Sequence, residues 1–253
     1  MSPAPVLEGA EPFSAAGGEH GVLVCHGFTG NPQSMRPLAE AFAAAGFTVE
    51  LPLWPGHGTS LDDMLETGWD DWSTAAETAF SELESRCTKV VVAGLSMGGT
   101  LATWLATRHP EIAGLVAINP AIEPGGEAFL DILRQTIEQG THVMPSIGSD
   151  VADPSVKELA YEGTPVAPLI SLLEAQAALA PTLGDVRCPT LLITSRQDHV
   201  VPPSSSDYLA ERVSGPVERV FLDRSFHVAT IDYDRDEIAA RSVEFAKKVT
   251  AGA

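Results

Sequence analysis

Positive charge is scarce in this chain of 253 residues: 15 Lys and Arg stand against 34 Asp and Glu, a formal net charge of −19. Lysine occurs only as Lys89, Lys157, Lys247 and Lys248, so no basic stripe can be drawn, and the averaged field repels phosphate backbones and anionic head groups. No nucleic-acid partner is expected. Cysteine is equally sparse, with Cys25, Cys87 and Cys188 odd in number and without the spacing of a redox or zinc motif, which excludes a disulfide framework and a thiolate metal site. They read as reduced core thiols. Residues 1–20 lack a basic and apolar leader, and no run approaches about 18 apolar residues. From these absences a soluble, cytoplasmic protein without integral membrane association is expected. Long polar tracts are also missing, and 44% hydrophobic with 19% charged residues is a globular composition, which excludes disorder and collagen.

Short apolar runs rich in β-branched residues recur at 21–25, 48–51, 90–93, 115–118, 191–194 and 217–222, the pattern of strands buried on both faces. Helical patterns separate them at 33–45, 72–86, 97–108, 204–213 and 236–249. The alternation predicts an α/β fold with a doubly wound, mostly parallel sheet. Between Pro120 and Pro189 the rhythm breaks, and only short helical patterns at 127–139, 155–161 and 168–180 remain. An insertion there is expected to cap the carboxyl edge of the sheet, where open α/β folds bind ligands. The expected division is a core of residues 1–120 and 184–253 with a cap of residues 121–183.

The strongest chemical signal is Gly94-Leu95-Ser96-Met97-Gly98-Gly99, which follows a predicted strand and opens a predicted helix. Strand, turn and helix are the context a nucleophile elbow requires. The sharp turn lifts the serine hydroxyl above the sheet, and small residues at 94 and 98 let strand and helix close on each other. A serine hydroxyl needs a base to take its proton and a third group to orient that base. The order expected in such a fold is serine, acid, histidine, which selects Asp198 after the run 191–194 and His227 after the run 217–222. Asp223 is the rival acid and His199 the rival base. His26 and His57 sit in loops that they are expected to hold by hydrogen bonds. Two backbone amides should receive the oxygen that gains charge, that of Met97 after the nucleophile and that of Phe28 in His26-Gly27-Phe28-Thr29-Gly30.

These segments together resemble the bacterial monoacylglycerol lipases and thermostable carboxylesterases of the α/β-hydrolase superfamily. The resemblance runs from about Gly21 to Phe245 and includes Gln33-Ser34-Met35-Arg36, Gly56-His57-Gly58-Thr59, Asp198-His199-Val200-Val201-Pro202-Pro203, His227-Val228-Ala229-Thr230 and, in the cap, Ile147-Gly148-Ser149-Asp150 and Val156-Lys157-Glu158-Leu159-Ala160-Tyr161. It implies a triad of Ser96, Asp198 and His227, an oxyanion hole of Phe28 and Met97, and a cap in which Glu158 meets the hydroxyls of a glyceryl alcohol beside a tunnel wall at Ile147. Asn119-Pro120 stands where such chains often have Asn-Ala, and Asn119 joins the substrate-binding candidates.

The expected chemistry is hydrolysis of neutral monoesters, monoacylglycerols foremost, through an acyl-enzyme, with no metal and no organic cofactor. Acyl transfer to a sugar or other alcohol uses the same residues and stays open as the alternative. A non-catalytic ligand-binding member of the fold is a third reading, set against the presence of all three triad residues. A small-molecule ester is the expected partner of a monomer or homodimer.

Overall fold

The computed structural model describes residues 4–146 and 148–251. In chain order its first half contains β1 (Phe13–Ala15), β2 (His20–Cys25), α1 (Arg36–Ala44), β3 (Thr48–Leu51), α2 (Leu61–Leu65), α3 (Trp69–Glu84), β4 (Lys89–Leu95), α4 (Met97–Arg108) and β5 (Gly114–Ile118). An insertion follows, made of α5 (Glu127–Glu138), β6 (Val143–Pro145), β7 (Gly163–Pro165) and α6 (Val166–Leu179). The chain then returns through β8 (Thr190–Ser195), α7 (Ser204–Ala210), β9 (Val217–Leu222) and α8 (Arg235–Thr250).

Seven strands form one sheet in the order β1-β3-β2-β4-β5-β8-β9. Only β1 runs antiparallel, against β3; every other pairing is parallel. Alternate side chains of the central strands feed two cores, as a period of two requires. Leu23, Val92, Leu115 and Leu192 pack with α3 and α4 on one face. Val22, Val91, Val116 and Leu191 pack with α1 and α8 on the other. Double-sided burial is why these strands read as unbroken apolar runs. From β2 the chain moves outward to β3 and then crosses back to β4 on the other side of β2, so the carboxyl ends of β2 and β4 flank a topological switch point.

The core strands and most helices fall within a few residues of their predicted positions, and the fold is an α/β-hydrolase fold. Three parts differ. The edge strand β1 has three residues and gave no apolar run. The insertion carries a two-stranded sheet of β6 and β7, separate from the main one. Residues 155–161, predicted as helix, are irregular, because their backbone groups bond elsewhere. The amide of Leu159 donates to Gln33 Oε1 at 3.1 Å, that of Tyr161 to Thr29 O at 3.2 Å, and the Asn31 side chain donates to Leu159 O. These distant partners overrule a weak local preference. The helical stretch Val166–Asp185, with mean hydropathy 1.4, is long and apolar enough on length and composition to cross a membrane, and a third of its apolar window is buried within the protein. Ser171, Glu174, Gln176 and Pro181 interrupt it, so a reading by continuous runs passes over it.

Candidate active site

Ser96 alone turns the chain from β4 into α4, with φ 56° and ψ −121°. A non-glycine residue held there carries about 1 to 3 kcal/mol of strain, which its surroundings must offset. Here the serine amide donates to Ile118 O at 3.1 Å, and its carbonyl accepts from Thr100 N and Ala121 N. Both glycines of the motif are steric necessities. A Cβ on Gly94 would lie 2.1 Å from Gly98 O, and one on Gly98 would lie 2.1 Å from Cys25 O. The close approach of α4 to β2 and β4 leaves no room for a methyl group.

His227 follows β9 and Asp198 follows β8, on the sheet edge that carries Ser96. The imidazole Nδ1 donates to Asp198 Oδ2 at 2.7 Å, with the two side chains 8% and 2% exposed. The other carboxylate oxygen of Asp198 accepts from the amides of Val200 and Val201 at 2.9 and 2.8 Å, so the acid is held on both sides. Ser96 and His227 face one cavity. Among the described residues they share no hydrogen bond, as is common before substrate tightens a site. The rivals are placed elsewhere: Asp223 is 78% exposed against Arg196, and His199 donates from Nδ1 to Asp150 Oδ1 at 2.8 Å, half in solvent.

His26 and His57 support the loop after β2. His26 Nε2 accepts from Trp54 N at 3.2 Å, which leaves Nδ1 to donate to Gly27 O at 3.0 Å. Burial, with His57 alongside, holds His26 neutral with its pKa well below the usual imidazole range. Burial likewise lowers His57 to about 4, and its Nδ1 lies 3.0 Å from Pro55 O. Among the described residues neither the Phe28 nor the Met97 amide donates to a protein acceptor. Both are available to a ligand, and the Met97 amide is at the positive end of the α4 dipole.

The cavity occupies about 600 Å³, within the usual range for small-molecule sites. Gly27, Phe28, Ser96 and His227 form its floor, and Phe129, Leu169, Leu172 and Leu173 of the insertion supply apolar walls. These wall residues were absent from the sequence candidates, although a signal exists. Phe129 and Ile132 are exposed on α5 while Leu130 and Leu133 are buried, so α5 carries more apolar surface than its packing face needs. Glu158 lines the cavity, delivered by the irregular segment and resting against Gly30. Asn119 lies outside the lining: it is 2% exposed, and its amide joins Ser195 and His227 O. Its φ of 42° turns the chain beneath the base loop. Ile147 falls outside the described residues.

Burial raises the Glu158 carboxyl from 4.5 to about 7, an effect the nearby His227 partly opposes. The fold therefore prefers the protonated acid. Stability from this group is complete below about pH 4.5 and is lost as pH rises through 7. At most about 3 kcal/mol is at stake, less where cavity water screens the charge. Thermal unfolding of Glu158→Gln should show no advantage over the parent at pH 4.5 and a gain of several degrees at pH 8. A difference that does not change with pH would contradict the raised pKa.

The model of the family described as "Serine aminopeptidase, S33" matches residues 19–234. The chain is 47% identical over 250 residues to a thermostable monoacylglycerol lipase of Bacillus sp. (strain H-257), covering 96% of this chain and 97% of that one. It is 26% identical to a carboxylesterase of Bacillus subtilis (strain 168), over 94% and 97%. Among solved structures, one described under the metagenome-derived lipolytic enzymes LipS and LipT superposes with a TM-score of 0.92 at 43% identity, covering 96% of this chain and all of that one. A monoacylglycerol lipase of Paleococcus ferrophilus shares the fold, with a TM-score of 0.79 at 18% identity over 94% and 98%.

Proposed function

The chain belongs to the serine aminopeptidase S33 family and is a serine hydrolase of the lipase–esterase class, and from that premise we propose that it hydrolyses neutral monoesters, monoacylglycerols foremost, through an acyl-enzyme on Ser96. The observation that carries this reading is the polarity of the cavity. Its walls are apolar, as an acyl chain requires, and Glu158 brings a carboxyl to the end near Ser96 and His227. Among the described residues that carboxyl has no protein hydrogen-bond partner, so the hydroxyls of a glyceryl group would satisfy it. Near its pKa it can donate one bond or accept several.

In the proposed reaction Ser96 Oγ attacks the ester carbonyl as His227 Nε2 takes the serine proton. Asp198 fixes the imidazole through Nδ1 and stabilises the imidazolium. The Phe28 and Met97 amides receive the oxyanion, each worth about 2.7 to 4 kcal/mol in the transition state. His227 returns the proton to the departing alcohol. Water, deprotonated by the same imidazole, then releases the fatty acid and restores the serine. Residues 121–183 act as the cap of this site and residues 1–120 and 184–253 as its core.

A turnover panel tests the substrate assignment, with monoacylglycerols of graded chain length, di- and triacylglycerols, p-nitrophenyl esters and amino-acid p-nitroanilides. Monoacylglycerols should be preferred and the anilides inert; turnover of short activated esters alone would overturn the glyceride reading. Glu158→Ala should lower kcat/KM for monoacylglycerols about 10- to 100-fold, the value of two hydrogen bonds to the neutral acid or of one to its carboxylate form, and for p-nitrophenyl acetate less than threefold. Equal losses would leave Glu158 no part in reading the alcohol.

A further inference from the structure

We propose that Asp150, supplied by the insertion, is a positioning residue that fixes the backbone of both the base loop and the acid loop; the inference rests on the assignment of His227 and Asp198 above. Asp150 is 9% exposed. Its Oδ2 accepts from the amide of His227 at 3.0 Å and from that of His199 at 3.2 Å. Its Oδ1 accepts from the His199 ring at 2.8 Å, and its backbone carbonyl accepts from Val228 N at 3.1 Å. One carboxylate thus grips the residue that carries the base and the residue that follows the acid. It bonds the peptide N–H of His227, whereas Asp198 bonds the ring, so it is not a second triad acid.

The contact is answered from the other side. Asp232, fully buried on the base loop, accepts from the amides of Ala152 and Asp153 at 2.8 and 3.0 Å and from that of Phe226 at 2.9 Å. Two carboxylates, one on each segment, therefore clasp residues 150–153 to residues 226–232. Asn119 completes the hold by donating to His227 O at 2.8 Å, so both backbone polar atoms of the base are tied by side chains from distant parts of the chain. Ionised acceptors make such bonds stronger than neutral ones. A buried amide left without its acceptor would force the loop to move. The insertion is thereby part of the machinery that aims the imidazole, and a base misplaced by about 1 Å costs on the order of 100-fold in rate.

Steady-state kinetics on p-nitrophenyl acetate, normalised to folded enzyme by thermal unfolding, test this. The small ester reads the reacting groups without filling the acyl walls. Asp150→Ala should lower kcat about 100-fold with KM changed less than threefold. Asp150→Asn, which keeps one acceptor oxygen but presents an NH₂ to the other contacts, should lose about 10-fold. His199→Ala removes the ring's bond to Asp150 and its edge-on packing against Phe226 but keeps the amide bonds of both loops to Asp150, and should stay within threefold. Folded Asp150→Ala with kcat within threefold of the parent, or with KM raised at unchanged kcat, would overturn the proposal. Should the alanine variant fail to fold, an unchanged kcat in folded Asp150→Asn would do the same. His227→Ala, run in parallel, separates the two assignments: turnover retained there would remove the base itself, whatever Asp150 does.

Discussion

Ser96→Ala should yield a folded protein whose ester turnover falls on the order of 10⁴- to 10⁶-fold, with little change in apparent substrate affinity. The nucleophile contributes only once a covalent bond forms, so its loss is expected in kcat. Folding should survive because the hydroxyl is not what holds the turn. The strained φ of 56° is shared by serine and alanine, and the bonds that offset it run through the backbone to Ile118, Thr100 and Ala121. Since serine, imidazole and carboxylate act as a unit, the double variant Ser96→Ala with His227→Ala should be no slower than Ser96→Ala. Kinetics on p-nitrophenyl acetate and thermal unfolding decide both points. Residual turnover above about 1% would remove Ser96 as nucleophile, and a large further loss in the double variant would separate the two residues.

Gly98→Ala should rank with Gly94→Ala as the most damaging single methyl addition near the site. The new Cβ would lie 2.1 Å from Cys25 O, 2.5 Å from Cys25 C and 2.7 Å from His26 O. All three are backbone atoms, so no side chain can rotate away. Relief requires α4 to move off β2, which opens the core and carries the Met97 amide away from that of Phe28. Overpacking of well-packed interiors costs about 1 to 3 kcal/mol and occasionally more. With the clash borne by backbone, about 3 kcal/mol is expected, which lowers Tm by on the order of 10 °C in a chain of this size. Activity per folded molecule should fall too, in kcat, because the two oxyanion donors no longer converge. Gly126→Ala is the control, since among the described residues nothing lies within 4 Å of its Cβ, and it should change Tm by no more than a degree or two. Similar small effects at both positions would show that the elbow can relax.

The sequence by itself determined the order and type of the core elements. Strands such as β4 and β5 are buried on both faces, so burial is written residue by residue as an apolar run, and the helix Met97–Arg108 was legible to its ends. It also marked Ser96, because the tight approach of α4 demands glycine at 94 and 98 and so leaves a local signature. The three-residue strand β1 and the pair β6 and β7 left none, since so few residues cannot display a period. Residues 155–161 carried a helical pattern that only the tertiary structure could overrule: Asn31 and Gln33, more than 120 positions away, claim their backbone groups and so carry Glu158 to the cavity. Asn119 was marked in the sequence as a substrate contact, yet the fold spends its amide on Ser195 and His227. Asp150 and Asp232 are ordinary acidic residues in one dimension. The partners through which they join the two segments lie about 50 to 80 residues away along the chain. Hydrogen bonds between such remote segments impose no local periodicity, so the geometry that aims the base could be decided only when the chain was packed.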